Sequence, residues 1–369
     1  MVAADNSGLD SAIPPLLATL DTLLAVQRYL HPALVGQLKE KLSARVEALQ
    51  DAGERLTAAA WPEDREEIAR SVETSFDLTR KAVAGFLETP DQPEGIFMAY
   101  RALRYTPYAM EMLYPAAALL PSVSAFFLEE AAWADAGLRA RLEAAESRPD
   151  TGVIHFNNAR DQKGGCSLYV PEYYDPAISY PVVVALHGGS GHGRAFLWTW
   201  LREARSRGVI VISAKACGDT WSLMQPEADS ENIEDILEAA CQRWNVDRTR
   251  MLMTGMSDGG TFTYLSGLRA ASPFTHLAPI AASFHVMMLE MGGRMNIAGR
   301  PIYLTHGVQD WMFDVEVARI AHEVLRERGA DIVYREIADL SHTYPRDENP
   351  RILDWFLEGR APQPSAGSG

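Results

Sequence analysis

From residue 153 to residue 337, short apolar runs alternate with stretches of helical period, and few architectures accept that pattern. The runs cover residues 153–156, 166–170, 181–186, 209–213, 250–254, 278–283, 301–305 and 331–337. Between most of the later runs lie helical patterns near residues 196–206, 233–244, 261–271 and 317–328. A strand returns parallel to its neighbour only through a crossover, and that crossover is right-handed. The pattern therefore predicts an α/β fold: a mostly parallel, eight-stranded sheet flanked by helices. Pro181, Val182, Val183, Val184, Ala185 and Leu186 form a nearly unbroken apolar run. Such a run suits a central strand covered on both faces.

The chain before about residue 147 reads differently, as helix after helix. Leu16, Leu17, Leu20, Leu23 and Leu24 form one apolar stripe, and Leu34, Leu38, Leu42, Val46 and Leu49 a second. Ile68, Val72, Phe76, Val83 and Leu87 form a third. Pro32 and Pro62 fall where helices should begin, because proline suits the first turn. Residues 97–114 are rich in Met and Tyr, with Pro107 and Pro115 expected to limit any helix there. The expected organisation is a helical domain over residues 1–150, an α/β domain over 151–360, and a disordered tail over 361–369. The helical domain is expected to serve as a cover, an interface or a dimerisation surface, so a homodimer is possible.

Bulk properties narrow the partners. At 369 residues, 47% apolar and 22% charged, the chain can build a sizeable core. Its net charge of −15 argues against nucleic acid, whose phosphates need clustered Lys and Arg. It also mildly favours a neutral substrate. Three cysteines make no disulfide framework and fit a reduced, cytoplasmic setting. Neither a secretory signal nor an apolar run long enough to span a membrane is visible.

Gly255-Met256-Ser257-Asp258-Gly259 fits G-x-S-x-G, between the expected strand 250–254 and the helical pattern 261–271. A serine on so sharp a strand-to-helix turn has a strained backbone, and the residues two before and two after it must lack side chains. A serine hydroxyl needs a base before it can act as a nucleophile. Of nine histidines, His342 alone lies just beyond the last strand, at the carboxyl edge where ligands bind in such sheets. His31, His155 and His322 fall within helices or strands. An acid must then fix the imidazole tautomer. Asp310 follows the strand 301–305 most closely, with Asp314 and Asp339 as rivals. A tetrahedral oxyanion needs preorganised N–H donors. The N–H groups of Gly189, in the glycine-rich loop after residue 186, and of Asp258 are the expected pair. Trp221, His285 and Met287 follow strands on the same edge and are expected to line the substrate pocket. About seventeen residues (284–300) separate the strands ending at 283 and starting at 301, too few for a helical lid.

Residues from about 151 to 358 resemble the α/β-hydrolase superfamily. Within it they resemble the esterase branch of poly(3-hydroxybutyrate) depolymerase-like, feruloyl esterase-like and phospholipase/carboxylesterase-like proteins. The resemblance is carried by Leu186-His187-Gly188-Gly189, Asn245-Val246-Asp247-Arg248 before the Ser257 turn, His306-Gly307-x-x-Asp310, and His342-Thr343-Tyr344-Pro345. It implies the same triad and oxyanion assignment and covers little of residues 1–150. The expected activity is hydrolysis of small or short-acyl carboxylic esters through an acyl-enzyme, with no metal or organic cofactor. A peptidase using the same triad and a non-catalytic binding protein on a hydrolase fold remain alternatives.

Overall fold

The computed structural model describes residues 7–58, 65–90, 93–291 and 294–359. The helix start expected at Pro62 and the tail 361–369 lie outside the described residues. The chain divides into two compact units, Met1–Glu143 and Ala144–Gly369.

The first unit is all helical where described: α1 (Ser7–Arg28), α2 (Val35–Ser43), α3 (Val46–Ala58), α4 (Glu66–Leu87), α5 (Ile96–Leu103), α6 (Tyr105–Leu113), α7 (Pro121–Phe126), α8 (Glu130–Trp133) and α9 (Ala136–Ala144). Its core is built from the leucine stripe of α1, with Leu16, Leu20 and Leu23 buried, and from Val72, Phe76 and Phe86 of α4. The second stripe does not form one helix. The chain breaks at Ala44, whose N–H turns back to Glu40 and Leu42 carbonyls, and Val46 opens α3 exposed to solvent. Pro107 does not interrupt α6. It sits in the first turn, where its missing N–H has no intrahelical acceptor to lose.

The second unit holds the eight-stranded sheet, ordered β1-β2-β4-β3-β5-β6-β7-β8. The strands are β1 (Gly152–Phe156), β2 (Cys166–Val170), β3 (Tyr180–Leu186), β4 (Ile210–Ala214), β5 (Val246–Met256), β6 (His276–Ile280), β7 (Pro301–Gly307) and β8 (Asp331–Ile337). β2 pairs antiparallel with β1 and β4, and every later pairing is parallel. The helices are α10 (Gly193–Phe196), α11 (Leu201–Arg207), α12 (Glu227–Arg243), α13 (Asp258–Gly267), α14 (Met288–Met291), α15 (Val315–Glu327) and α16 (Asn349–Glu358). This is the α/β-hydrolase fold. Central β3 buries Val182, Val183, Val184, Ala185 and Leu186 completely. Burying a valine or leucine side chain contributes roughly 1.5–3 kcal/mol.

Three details depart from the sequence reading. The strand expected at 278–283 stops at Ile280, because Ala281 takes a positive φ of 46° that no strand continues through. The helix expected at 196–206 is broken into α10, a 3₁₀ turn over Leu197–Thr199, and α11, which ends on Gly208 in the left-handed region. Helix α16 was not anticipated. It follows a buried carboxylate, Glu348, which accepts hydrogen bonds from the Tyr303 hydroxyl of β7 (2.5 Å), from Arg335 of β8 (2.9 Å) and from Arg351 (3.2 Å). Among the described residues, no helix is long and apolar enough to cross a membrane.

Glu348 therefore ties α16 to the β7–β8 edge of the sheet. Truncating it strands the half-buried Arg335 guanidinium without its partner. Glu348→Ala should lower unfolding free energy by about 3 kcal/mol in urea titrations. A loss under ~1 kcal/mol would refute the tie.

Candidate active site

β5 runs into α13 through a single reversal at Ser257, whose φ and ψ are 56° and −120°. A residue with a side chain is strained there by about 1–3 kcal/mol. The reversal closes only because its flanking residues are glycines. A Cβ on Gly255 would meet the Gly259 carbonyl carbon and oxygen at 2.4 Å, and one on Gly259 would meet the Leu186 oxygen at 2.5 Å. The Ser257 N–H donates to the Ile280 carbonyl (2.9 Å), and its own carbonyl accepts from Thr261 N–H (2.8 Å). These bonds hold the turn between β6 and α13. Asp258 opens α13, so its N–H belongs to the first helical turn and has no intrahelical acceptor.

Opposite the serine stands His342, in the segment after β8. Its Nε2 lies 3.0 Å from Ser257 Oγ and its Nδ1 lies 2.8 Å from Asp310 Oδ2. All three residues are buried, with the Asp310 carboxyl fully so. Asp310 is held by its own turn: Oδ1 accepts from the N–H groups of Met312 and Phe313, both at 2.9 Å. The Phe313 ring meets the His342 imidazole edge-on, with centroids 5.2 Å apart. Asp314 is elsewhere engaged, capping α15 by accepting from Glu316 N–H. Asp339 lies in the turn after β8. His31 caps a 3₁₀ turn, His155 lies in β1 bonded to Ser167, and His322 stacks on Tyr334.

The glycine-rich loop after β3 passes directly over the serine. A Cβ on Gly188 would touch Ser257 Cβ at 3.5 Å, and one on Gly189 would meet Asp258 Oδ2 at 2.9 Å. The loop is held by the buried His187. Its Nδ1–H donates to the Gly188 carbonyl (2.7 Å), which leaves Nε2 to accept from Ala216 N–H (3.3 Å). Burial pushes the His187 imidazole down to about 3, so it stays neutral. His192 is likewise spent on the loop, with Nε2 on the Ala159 carbonyl and Nδ1 accepting from Arg194 N–H.

Trp221 sits deeper than the sequence reading expected: it is buried, stacks between His187 and Phe262, and donates its indole N–H to the His187 carbonyl at 2.7 Å. Its position after β4 suggested the ligand edge, but its bulk is used beneath the loop. His285 and Met287 do lie exposed in the segment after β6, and His285 Nδ1 accepts from Met287 N–H (3.2 Å). That segment is fastened to α13 through Thr261, whose hydroxyl accepts from Ser283 N–H at 3.0 Å.

Several supporting residues escaped the sequence reading. Asp229 of α12 is buried and accepts from Cys217 and Ser222 N–H groups, which shapes the loop after β4. Within that loop the Thr220 hydroxyl donates to Asp258 Oδ2 at 2.6 Å. His306, in the phrase His306-Gly307-x-x-Asp310, sits fully buried beside Asp310. The only signal for it was its place in that phrase.

No family model matches the chain. It is 25% identical over 225 residues to a bifunctional acetylxylan esterase/xylanase of Neocallimastix patriciarum, over 56% of this chain and 32% of that protein. The chain thus spans about a third of the length of this curated relative. Among solved structures it is similar to a thermostable esterase, with a TM-score of 0.46 and 22% identity over 57% of this chain and 63% of the other. It is also similar to a CE1 ferulic acid esterase from Anaeromyces mucronatus, with a TM-score of 0.44 and 14% identity over 58% and 93% of the two chains.

The buried neutral His187 has a consequence for stability. Above its ordinary value of 6.5 both folded and unfolded imidazoles are neutral, and nothing changes with pH. Between 6.5 and about 3 the unfolded state binds a proton that the folded state refuses. Stability should therefore fall as pH drops through that window, by up to ~1.4 kcal/mol per pH unit from this group. Urea unfolding of His187→Gln should show a shallower acid slope than the native protein. Equal slopes would remove His187 from the account.

Proposed function

We propose that the protein hydrolyses carboxylic esters, with Ser257 as nucleophile, His342 as base and Asp310 as the acid that orients it. The observation that carries this reading is the unbroken chain of two hydrogen bonds from Ser257 Oγ through His342 to Asp310 Oδ2, at 3.0 and 2.8 Å. The chain sits on a serine held in a strained conformation at a helix N-terminus. The 25% identity to a protein with an acetylxylan esterase activity supports the same reaction class.

The chemistry follows from the geometry. Asp310 accepts the Nδ1–H of His342, which leaves the Nε2 lone pair aimed at Ser257 Oγ. The hydroxyl oxygen attacks the acyl carbon while its proton passes to Nε2. The carbonyl oxygen gains the negative charge and is received by the N–H groups of Gly189 and Asp258. His342 returns the proton to the departing alkoxide, so an alcohol leaves and an acyl-serine remains. Water then repeats the sequence in reverse order, releasing the acid and restoring Ser257. His285 and Met287 are the proposed pocket residues, and the preferred substrates are small or short-acyl esters.

Ser257→Ala should lower kcat/KM on nitrophenyl acetate by at least ~10³-fold and abolish labelling by a fluorophosphonate. Native turnover in that variant would end the assignment. Asp310→Asn should lose ~10³–10⁴-fold, because the wrong imidazole tautomer would face the serine. Asp314→Asn should stay within a few-fold of the native rate. Reversed effects of these two would move the acid to Asp314. Faster turnover of aminoacyl nitroanilides than of nitrophenyl esters would replace the esterase reading with a peptidase.

A further inference from the structure

A second histidine is built into the support of the proposed acid. His306 lies at the end of β7, fully buried, with Nε2 2.9 Å from the Phe313 carbonyl and 3.5 Å from Asp310 Oδ2. Both neighbours are acceptors. A ring nitrogen facing two acceptors must carry the proton, so the tautomer is Nε2–H, donating to Phe313. In the neutral ring the other nitrogen, Nδ1, carries a lone pair, and it has no hydrogen-bond partner among the described residues. Across the sheet, His306 stands in register with Glu336, whose carboxylate is taken up by Arg319 and the Tyr334 hydroxyl.

Fold stability alone does not account for a histidine here. A buried acceptor without a partner is a cost that an apolar side chain of similar size would not carry. What the histidine supplies is one N–H at the far end of the 310–313 turn. That turn does two things for His342. Its amides at 312 and 313 hold Asp310 Oδ1, and its Phe313 ring packs edge-on against the imidazole. The single bond from His306 therefore fixes both surfaces that aim the base.

We infer that His306 is a positioning residue for His342, acting through the Phe313 carbonyl rather than by touching substrate. The inference rests on the proposed triad. Losing the bond lets the turn swing, and a shift of about 1 Å in a catalytic group costs up to roughly 10²-fold in rate.

The test compares His306→Leu, which removes the donor, with His306→Gln, which can present a side-chain N–H near the same place. Both are measured for kcat and KM on a nitrophenyl ester, for the rate of fluorophosphonate labelling at Ser257, and for urea unfolding. H306L should lower kcat and the labelling rate together by roughly 10–100-fold, with KM within ~2-fold and the unfolding midpoint little changed. H306Q should recover kcat to within roughly 5-fold of native. A folded H306L with native kcat overturns the inference, and so does a loss that glutamine does not rescue. Should H306L fail to fold, His306→Phe, a donor-free ring of similar shape, carries the test: a fall in kcat and in the labelling rate at constant KM supports the inference, and native kcat overturns it. Native protein that the fluorophosphonate does not label overturns the triad reading itself. Native protein that is labelled, beside an H306L variant labelled equally fast, overturns only the role of His306.

Discussion

Everything at the carboxyl edge of this sheet depends on one close approach, that of the chain before Ser257 to the chain after it. Gly255 and Gly259 bring their backbones so near that no side chain fits at either position. The approach forces Ser257 into a positive φ, which lifts its hydroxyl clear of the sheet. It also starts α13 immediately, so the amide of Asp258 and the positive end of the helix dipole lie beside the serine. The proposed nucleophile, one proposed oxyanion donor and the local potential thus come from a single reversal. The second proposed donor follows from the same packing, because Gly259 leaves room only for the backbone of Leu186 and His187 as the β3 loop passes over.

Asp310 and the proposed base, His342, are positioned by sheet register. β7 and β8 pair without a slip from Pro301↔Asp331 to Gly307↔Ile337. The pairing continues past the strand ends, through Val308 N–H on the Ile337 carbonyl and Gln309 N–H on the Leu340 carbonyl. Gly307 permits this, since a Cβ there would meet the Leu340 oxygen at 2.1 Å. Asp310 and His342 lie 32 residues apart in the chain, yet a few more residues bring them into hydrogen-bond range. A one-residue slip of β8 would turn its side chains to the opposite face and carry the following loop out of reach.

Much of this was legible in the sequence because it is expressed in periodicity and order. The eight runs mark eight strands: inner strands such as β3 and β4 are buried almost throughout, as a sheet covered on both faces requires, while the edge strands β1 and β8 stay partly exposed. The places of Ser257 and His342 after strands were legible from order, and that of Asp310 from its distance to β7. What stayed hidden is long-range and one-sided. Nothing local distinguishes a tryptophan that lines a pocket from one that props a loop. The partner that fixes Trp221 is the His187 carbonyl, 34 residues away. Asp229 looks like any acidic residue of a first helical turn, yet it organises two amides of the β4 loop. The break at Ala44 was masked by a leucine spacing that continues across it. Helix α16 lacked an apolar run of its own beyond Ile352, Leu353, Trp355 and Phe356, and its start is set by Glu348 contacts with β7 and β8.

The electrostatics of the site also follow from burial rather than from charged side chains aimed at the reaction. His187 sits under the proposed oxyanion loop and could in principle be a cation there. Desolvation holds it neutral, and its single proton is used on the Gly188 carbonyl. The proposed stabilisation of a developing oxyanion then rests on backbone dipoles, which need no reorganisation as charge appears. The carboxyl group of Asp258 works against this, because it lies next to Gly189. Its Oδ2 is turned to the Thr220 hydroxyl, on a loop anchored in turn by Asp229 and by the Trp221 indole. The loop after β4 therefore fixes the Asp258 carboxyl, which lies beside the glycine-rich loop, at a defined place where the N-terminal dipole of α13 offsets it.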